Sequence, residues 1–371
     1  MKIALIYGGK SCEHDISVIT ACQIAHSLKN HELYRIYADR QNKWWLIEGD
    51  YTPRQHLFLK PKKRAYFKTG ESVLYVKNGF FVKKIPIYAA VLAFHGINGE
   101  DGTAQGVLEL AGVPYTSAGV AASGLCMDKL LMKSCFEGID VPVLFGMELK
   151  RSDGENARRD VSDLVGFPLI VKPANLGSSI GISVCRSQAD FEAALETAFS
   201  FDDRVLVEQA LTDFYEVNCS AMTSDGEILV SELEKPCAKD EILSFADKYV
   251  RGEKNRALRE FPFECELKEE IRYTTQKIYR RFNLSGVVRI DYLIDRYTGA
   301  FYVNEVNTLP GSLAYYFWKD MFSPEQFAKT LIDEAIERKA ARDKLTYAYD
   351  SQVLNGAYGA KGQRVKYFLN A

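Results

Sequence analysis

Apolar residues recur in two rhythms along the chain. Residues 2–7, KIALIY, form an apolar block with little alternation, as expected of a parallel strand covered on both faces. Gly8-Gly9 closes that block. Val18, Ala21, Cys22 and Ala25 then fall on one side of a helix predicted from about Ser17. Residues 39–88 read as β-rich elaboration, with Asn78-Gly79 as a hairpin turn inside SVLYVKNGFFVKKIPIY. Residues 89–94 make a second buried strand that runs into HGINGEDGT. LCMDKLLMKSCFEGIDVP predicts a helix ending before Pro142. FPLIVKPAN and ISVC read as strands on either side of the turn LGSSIG. Ser187 opens a helix with Asp190 in a near capping box, and RVLVEQAL follows as a strand. A helix is predicted over 268–281, and Ser323-Pro324-Glu325-Gln326 starts another that runs to about Lys344. The blocks divide at 1–123, 124–207 and 208–345, leaving a tail, 346–371, to which no role attaches.

The period-two rhythm is most informative in VVRIDYLIDRYTGAFYVNEVN, residues 287–307. Two β-rich runs flank DRYTG, a hairpin signal. A turn centred near Thr298 sets Asp291 opposite Glu305 and Arg289 opposite Asn307. All four are odd-numbered and share one face, while Val288, Ile290, Tyr292, Tyr302 and Val306 form a packing face. Like charges directly opposite one another destabilise a sheet. A hard divalent cation would compensate, with the Asn307 amide oxygen in the same shell. An exposed hairpin with hydrated charges is the alternative at this point.

Bulk composition excludes several classes. The 371 residues are 47% apolar and 26% charged, ordinary for two or three globular domains. A net charge of −2 implies no general affinity for nucleic acid or an anionic membrane. MKIALIYGGKSCEHD lacks a signal-peptide pattern, and no apolar run is long enough to span a bilayer. The eight cysteines are scattered without a C-x-x-C pair, which suits reduced cytosolic thiols.

Candidate chemistry lies in the loops. GSSIG, 177–181, matches the nucleophile elbow G-x-S-x-G with Ser179 as nucleophile. That reading needs a later histidine, yet His14, His26, His31, His56 and His95 all come first. A Gly-Ser loop whose amides and hydroxyls wrap phosphate oxygens is the other reading, with Lys172 in reach; a plain turn is the third. EQALTDFYEV follows a strand and could meet an adenine edge, with Glu216 taking ribose hydroxyls. HGINGEDGT sits at a strand end, where open α/β sheets bind ligands. His95 and Glu13 are a loop histidine and a surface acid by default.

Taken together, GGKSCEHDIS, FHGINGEDGTAQGVLELAGVPYTSAG, MDK, VKPANLGSSIG, VLVEQ, GVVRIDYLID and VNEVNTLPG resemble the D-alanine–D-alanine ligases of the ATP-grasp superfamily. The resemblance covers about residues 1–340; the insertion 39–88 and the tail lie outside its strongest part. It implies a three-domain ATP-grasp fold of α/β and α+β domains, with an N-terminal parallel α/β domain. ATP would lie between two sheets, and the amino acids at the junction with the N-terminal domain. Lys129 and Lys172 resemble the phosphate-binding lysines, beside Ser178 and Ser179. Glu208, Leu211 and Glu216 resemble the adenine and ribose contacts. Asp291, Glu305 and Asn307 match the ligands of two Mg²⁺ ions, with Mn²⁺ able to substitute. Arg289 and the Gly311 amide match the oxyanion stabilisers. Glu13 matches the anchor of the first D-alanine's ammonium, near His95, networked with Ser178 and Tyr249. SFADKY, 244–249, resembles the lid, with Lys248 reaching the γ-phosphate.

Two departures stand out. The family lid usually reads D-Y-x-x-K-Y, and after N-T-x-P-G it usually has M-T-x-x-S. Here the second run is SLAYYF, which puts Tyr316 where a serine would bind the second carboxylate. Tyr249 favours an amine as the second nucleophile, with D-alanine or D-serine both open. The resemblance further implies a cytoplasmic enzyme of peptidoglycan synthesis, usually a homodimer. A nucleotide-binding module without catalysis is the reading from another class.

Overall fold

The computed structural model of the protein describes residues 1–236 and 265–346. Lys248 and Tyr249 of the expected lid, and the tail beyond 346, lie outside the described residues. The first sheet holds β1 (Lys2–Gly8), β2 (Glu32–Ala38), β3 (Trp44–Ile47), β4 (Lys63–Lys68), β5 (Glu71–Asn78), β6 (Phe81–Pro86) and β7 (Ala89–Leu92). Their order is β6-β5-β4-β3-β2-β1-β7. Only β2-β1-β7 is parallel; the insertion extends it with antiparallel strands. Ile3, Ala4, Leu5 and Ile6 are all buried, which explains their unbroken hydrophobicity. In the insertion Asn78 pairs with Phe81, so the two loop residues are Gly79 and Phe80, one position beyond the expected dipeptide.

The first helix spans His14–Ser27, three residues earlier than its apolar stripe predicts. Its start carries no side-chain cap, because the Glu13 carboxylate is engaged elsewhere. The predicted helix around Met127 is two helices, Val120–Met127 and Lys129–Glu137. Asp128 breaks them: its carboxylate accepts from the Leu130 and Leu131 amides at 3.0 and 3.1 Å and from Arg204 at 2.6 Å. Ser123, the expected edge of the first block, lies within the former helix.

Two four-stranded sheets follow. The second sheet holds β8 (Gly146–Lys150), β9 (Leu169–Pro173), β10 (Ser183–Cys185) and β11 (Arg204–Gln209), in the order β10-β9-β11-β8. Helices Glu155–Val165 and Gln188–Phe199 cover one face, burying Val161, Phe191 and Leu195 with Val171 and Val205. The third sheet holds β12 (Phe214–Ser224), β13 (Glu227–Val230), β14 (Val287–Asp295) and β15 (Phe301–Asn307), in the order β13-β12-β14-β15. Helix Cys265–Arg281 backs it through Ile271 and Ile278. Helix Pro324–Asp343, capped by Ser323 as predicted and with Gln326 completing a capping box, packs Phe327, Leu331 and Ile332 into the core of the first sheet.

Near the site the β14–β15 register is the expected one: Arg289 faces Asn307 and Asp291 faces Glu305. Beyond Asp291 it slips, and Tyr292 faces Val303. Asn304 is the extra residue of a β-bulge. The slip overturns one expectation. Val303 and Phe301 occupy the packing face with Val306, whereas Tyr302 is only partly buried and pairs with Leu293.

Candidate active site

Two hollows hold most of the candidate residues. The outer cleft is walled by Ile170, Lys172 and Val184 of the second sheet and by Phe214 and Leu293 of the third; Leu211 lies at its rim. Glu208, on β11, is 1% exposed and takes two cations. Lys172 donates to its Oε2 at 2.6 Å, and Lys133 pairs with its Oε1. Burial alone would push the Glu208 carboxyl up; Lys172 and Lys133 overcome that and hold it below the ordinary carboxylate range. Burial pushes the Lys133 ammonium down from its ordinary value, against the pull of Glu208. Glu216 stands on β12 opposite Leu293, which lines that cleft; Glu216 itself is not part of the lining.

The inner pocket is lined by Glu13, Glu100, Lys129, Gly177, Ser178, Arg289, Glu305 and Asn307, drawn from all three sheets' loops and edges. Ser178 donates to Glu13 Oε1, joining positions 165 residues apart. Ser178 and Ser179 both hold left-handed backbone, φ +56° and +58°, so the predicted turn is sharper than a plain hairpin. A Cβ on Gly177 would stand 2.8 Å from Glu13 Oε2, and one on Gly96 only 2.6 Å from it. These two glycines let loops from two domains close on one carboxylate. Lys129 Nζ is 2.5 Å from the Leu176 carbonyl, at the base of the same loop.

Arg289 grips Asp291 with two hydrogen bonds, Nε to Oδ1 at 2.6 Å and Nη2 to Oδ2 at 2.8 Å. Its Nη1 lies 3.4 Å from the Tyr316 hydroxyl. Asn307 Nδ2 is 3.2 Å from Asp291 Oδ2. Glu305, Asp291 and Asn307 therefore project from one face, as the alternation requires. Among the described residues no group of three or more His, Cys, Asp and Glu side chains would hold a metal by itself. Two carboxylates and one amide suit Mg²⁺ only with further oxygens from a bound triphosphate.

His95 is buried and does not line the pocket. Its Nε2 bonds Thr20 Oγ1 at 2.8 Å, and burial pushes its imidazole down to about 4. Thr20 in turn accepts from the Ser312 amide at 3.2 Å. Gly311 opens a turn in which Ser312, Leu313 and Ala314 all have positive φ, +54°, +49° and +51°. Left-handed backbone costs each L-residue roughly 1–2 kcal/mol. Contacts such as Ser312 Oγ to Gln23 Oε1 at 2.7 Å help hold this segment under Tyr316.

Sequence reasoning missed three members. Glu100 accepts from the Gly96 amide at 2.7 Å and the Leu309 amide at 3.1 Å, tying the HGING loop to the NTLPG loop. Burial first, then the Glu13 charge, pushes its carboxyl up to about 8. Lys133 is one helical turn from Lys129, a spacing that puts both on one face. Asn304 opens NEVN itself, but its role depends on the bulge.

Facing sheets over a lysine-lined cleft, beside a carboxylate hairpin, define an ATP-grasp ligase, the fold of the solved relatives. Residues 2–118 match the model "D-ala D-ala ligase N-terminus" and residues 135–337 the model "D-ala D-ala ligase C-terminus". The D-alanine–D-alanine ligase of Thermosipho melanesiensis is 34% identical over 364 residues, 95% of this chain and 98% of that one. The D-alanine–D-alanine ligase of Coxiella burnetii superposes with a TM-score of 0.78 at 24% identity, over 93% of this chain and 96% of that one. The VanG D-Ala:D-Ser ligase of Enterococcus faecalis has a TM-score of 0.77 at 26% identity, over 90% of this chain and 99% of that one. The chain belongs to the D-alanine–D-alanine ligase family.

Proposed function

We propose that the protein joins two D-alanines at the expense of ATP, giving D-alanyl-D-alanine, ADP and phosphate, for peptidoglycan synthesis. The observation that carries this reading is the β14–β15 register, which sets Asp291 against Glu305 with Arg289 and Asn307 on the same face. Family membership supports the rest.

In this reading the nucleotide lies in the outer cleft, its base near Glu208 and Leu211 and its ribose near Glu216. Lys129, Lys172 and the Ser178-Ser179 turn hold the phosphates. Asp291, Glu305 and Asn307 would hold two Mg²⁺ ions, which would supply charge neutralisation on the triphosphate. Glu13, fixed by Ser178, receives the first D-alanine's ammonium. The carboxylate oxygen of that D-alanine attacks the γ-phosphorus, the bond to ADP breaks, and a D-alanyl phosphate forms. The second D-alanine's amine attacks the acyl carbon; the carbon–oxygen bond to phosphate then breaks, and the departing phosphate carries away the proton that the amine gives up. Arg289 and the Gly311 amide stabilise the oxyanion between those steps, a contribution worth about 3–4 kcal/mol where measured elsewhere. Asp291 holds the guanidinium flat and in place for that task.

Tyr316 favours a second reading for the last step. Its hydroxyl caps Arg289, where a serine would otherwise receive the second carboxylate. A ligase of D-alanine and D-serine fits the same machinery. Phosphate release with D-alanine alone and with D-alanine plus D-serine, each followed by mass spectrometry of the product, separates the two. Absence of ADP formation with either mixture would sink both. A cytoplasmic homodimer completes the reading, and sedimentation of the purified protein tests the dimer. No helix among the described residues is long and apolar enough to cross a membrane.

A further inference from the structure

We infer that Asn304 is a positioning residue for the nucleotide, acting through Lys172. Lys172 comes from β9 in the second sheet and Asn304 from β15 in the third. The Lys172 ammonium donates to Glu208 Oε2 at 2.6 Å and to Asn304 Oδ1 at 2.9 Å. Two of its three N–H groups are thus fixed, one by each sheet, and the third remains for a ligand in the cleft that Lys172 lines.

The bulge makes this contact. Register runs Asp291 to Glu305 and then Tyr292 to Val303, which leaves Asn304 unpaired between them. In regular pleating Asn304 and Glu305 would point to opposite faces. A bulge turns the extra residue out of that alternation. Asn304 thereby reaches Lys172 across the cleft while Glu305 stays opposite Asp291.

The side-chain type matters. Glu208 already supplies Lys172 with a carboxylate, shared with Lys133. A neutral amide adds direction without cancelling more of the cation, so the ammonium keeps its attraction for phosphate oxygens. A carboxylate at 304 would fix the lysine equally well and also repel a triphosphate.

This inference rests on the ATP-ligase reading and is tested on the full chain with Asn304→Ala and the isosteric Asn304→Asp. ADP affinity with Mg²⁺ is measured by titration calorimetry, alongside KM for ATP, KM for D-alanine and Tm. Losing one hydrogen bond to a charged group predicts ADP binding weaker by about tenfold in N304A. KM for ATP should rise in parallel, while KM for D-alanine and Tm stay near those of the unaltered protein. N304D should bind ADP at least as poorly as N304A. Unchanged ADP affinity in N304A overturns the inference. So does an N304D variant that binds ADP normally, or losses that follow Tm and raise both KM values together, because those mark a role confined to the bulge. ADP binding does not depend on which amino acids are joined. Normal ADP binding without dipeptide formation would therefore tell against the ligase reading alone.

Discussion

Arg289 and Asp291 lie two residues apart on β14, and the arginine holds both oxygens of the aspartate, at 2.6 and 2.8 Å. In the proposed reading that one carboxylate orients a cation for the oxyanion and offers its charge to a metal. Asp291→Asn keeps the shape, removes the charge and releases the fork. It should lower kcat by about 10²–10³ with nearly unchanged Tm, since oxyanion and charge placement carry that much of a rate. Steady-state kinetics with a thermal melt check it; a variant with normal kcat would detach Asp291 from the chemistry.

Gly177 faces Glu13 without contact to spare. Gly177→Ala puts a methyl 2.8 Å from Glu13 Oε2, closer than real Cβ atoms come. The Glu13 carboxylate must then shift, and its bond from Ser178 is lost with it. KM for the first D-alanine should rise about tenfold while ADP affinity changes little, the cost of one charge-assisted bond. Equal shifts in both measurements would mean a disrupted phosphate turn instead.

His95 should make stability depend on pH in a defined window. The unfolded imidazole binds its proton near 6.5 and the buried one only near 4. Above 6.5 both states are neutral and His95 contributes no slope. As pH falls from 6.5 towards 4, the unfolded state alone takes up the proton, so stability declines. The decline approaches about 3 kcal/mol at the low end. Urea unfolding at intervals across that window should show a shallower slope in His95→Gln than in the unaltered protein. Identical slopes would mean that the folded imidazole titrates normally.

The chain's own alternation makes much of this legible. Period two is a local property of extended backbone, so alternation alone assigns Arg289, Asp291, Glu305 and Asn307 to one face. The unbroken apolar runs likewise announce strands covered on both sides, and Ser323 with Pro324 announces a helix start that the fold keeps. The Gly-Ser turn at 177–181 and the lysines Lys129 and Lys172 are legible as a resemblance, carried by their order along the chain.

Contacts between distant segments are not legible in that way. Lys133 looks like any helix-surface lysine until β11 brings Glu208 against it. Glu100 reads as one of two acids in a polar loop until the Leu309 amide, 209 residues on, closes over it. Asn304 shows the divide most clearly. Strict alternation puts an even-numbered residue of β15 on the packing face, and a single extra residue in the ladder turns this one towards Lys172. Local sequence determines the side-chain period because bond geometry sets it within a few residues. Where that period slips, and which charges are buried together, is decided only when the sheets pack, because the energy that selects it lies in contacts between them.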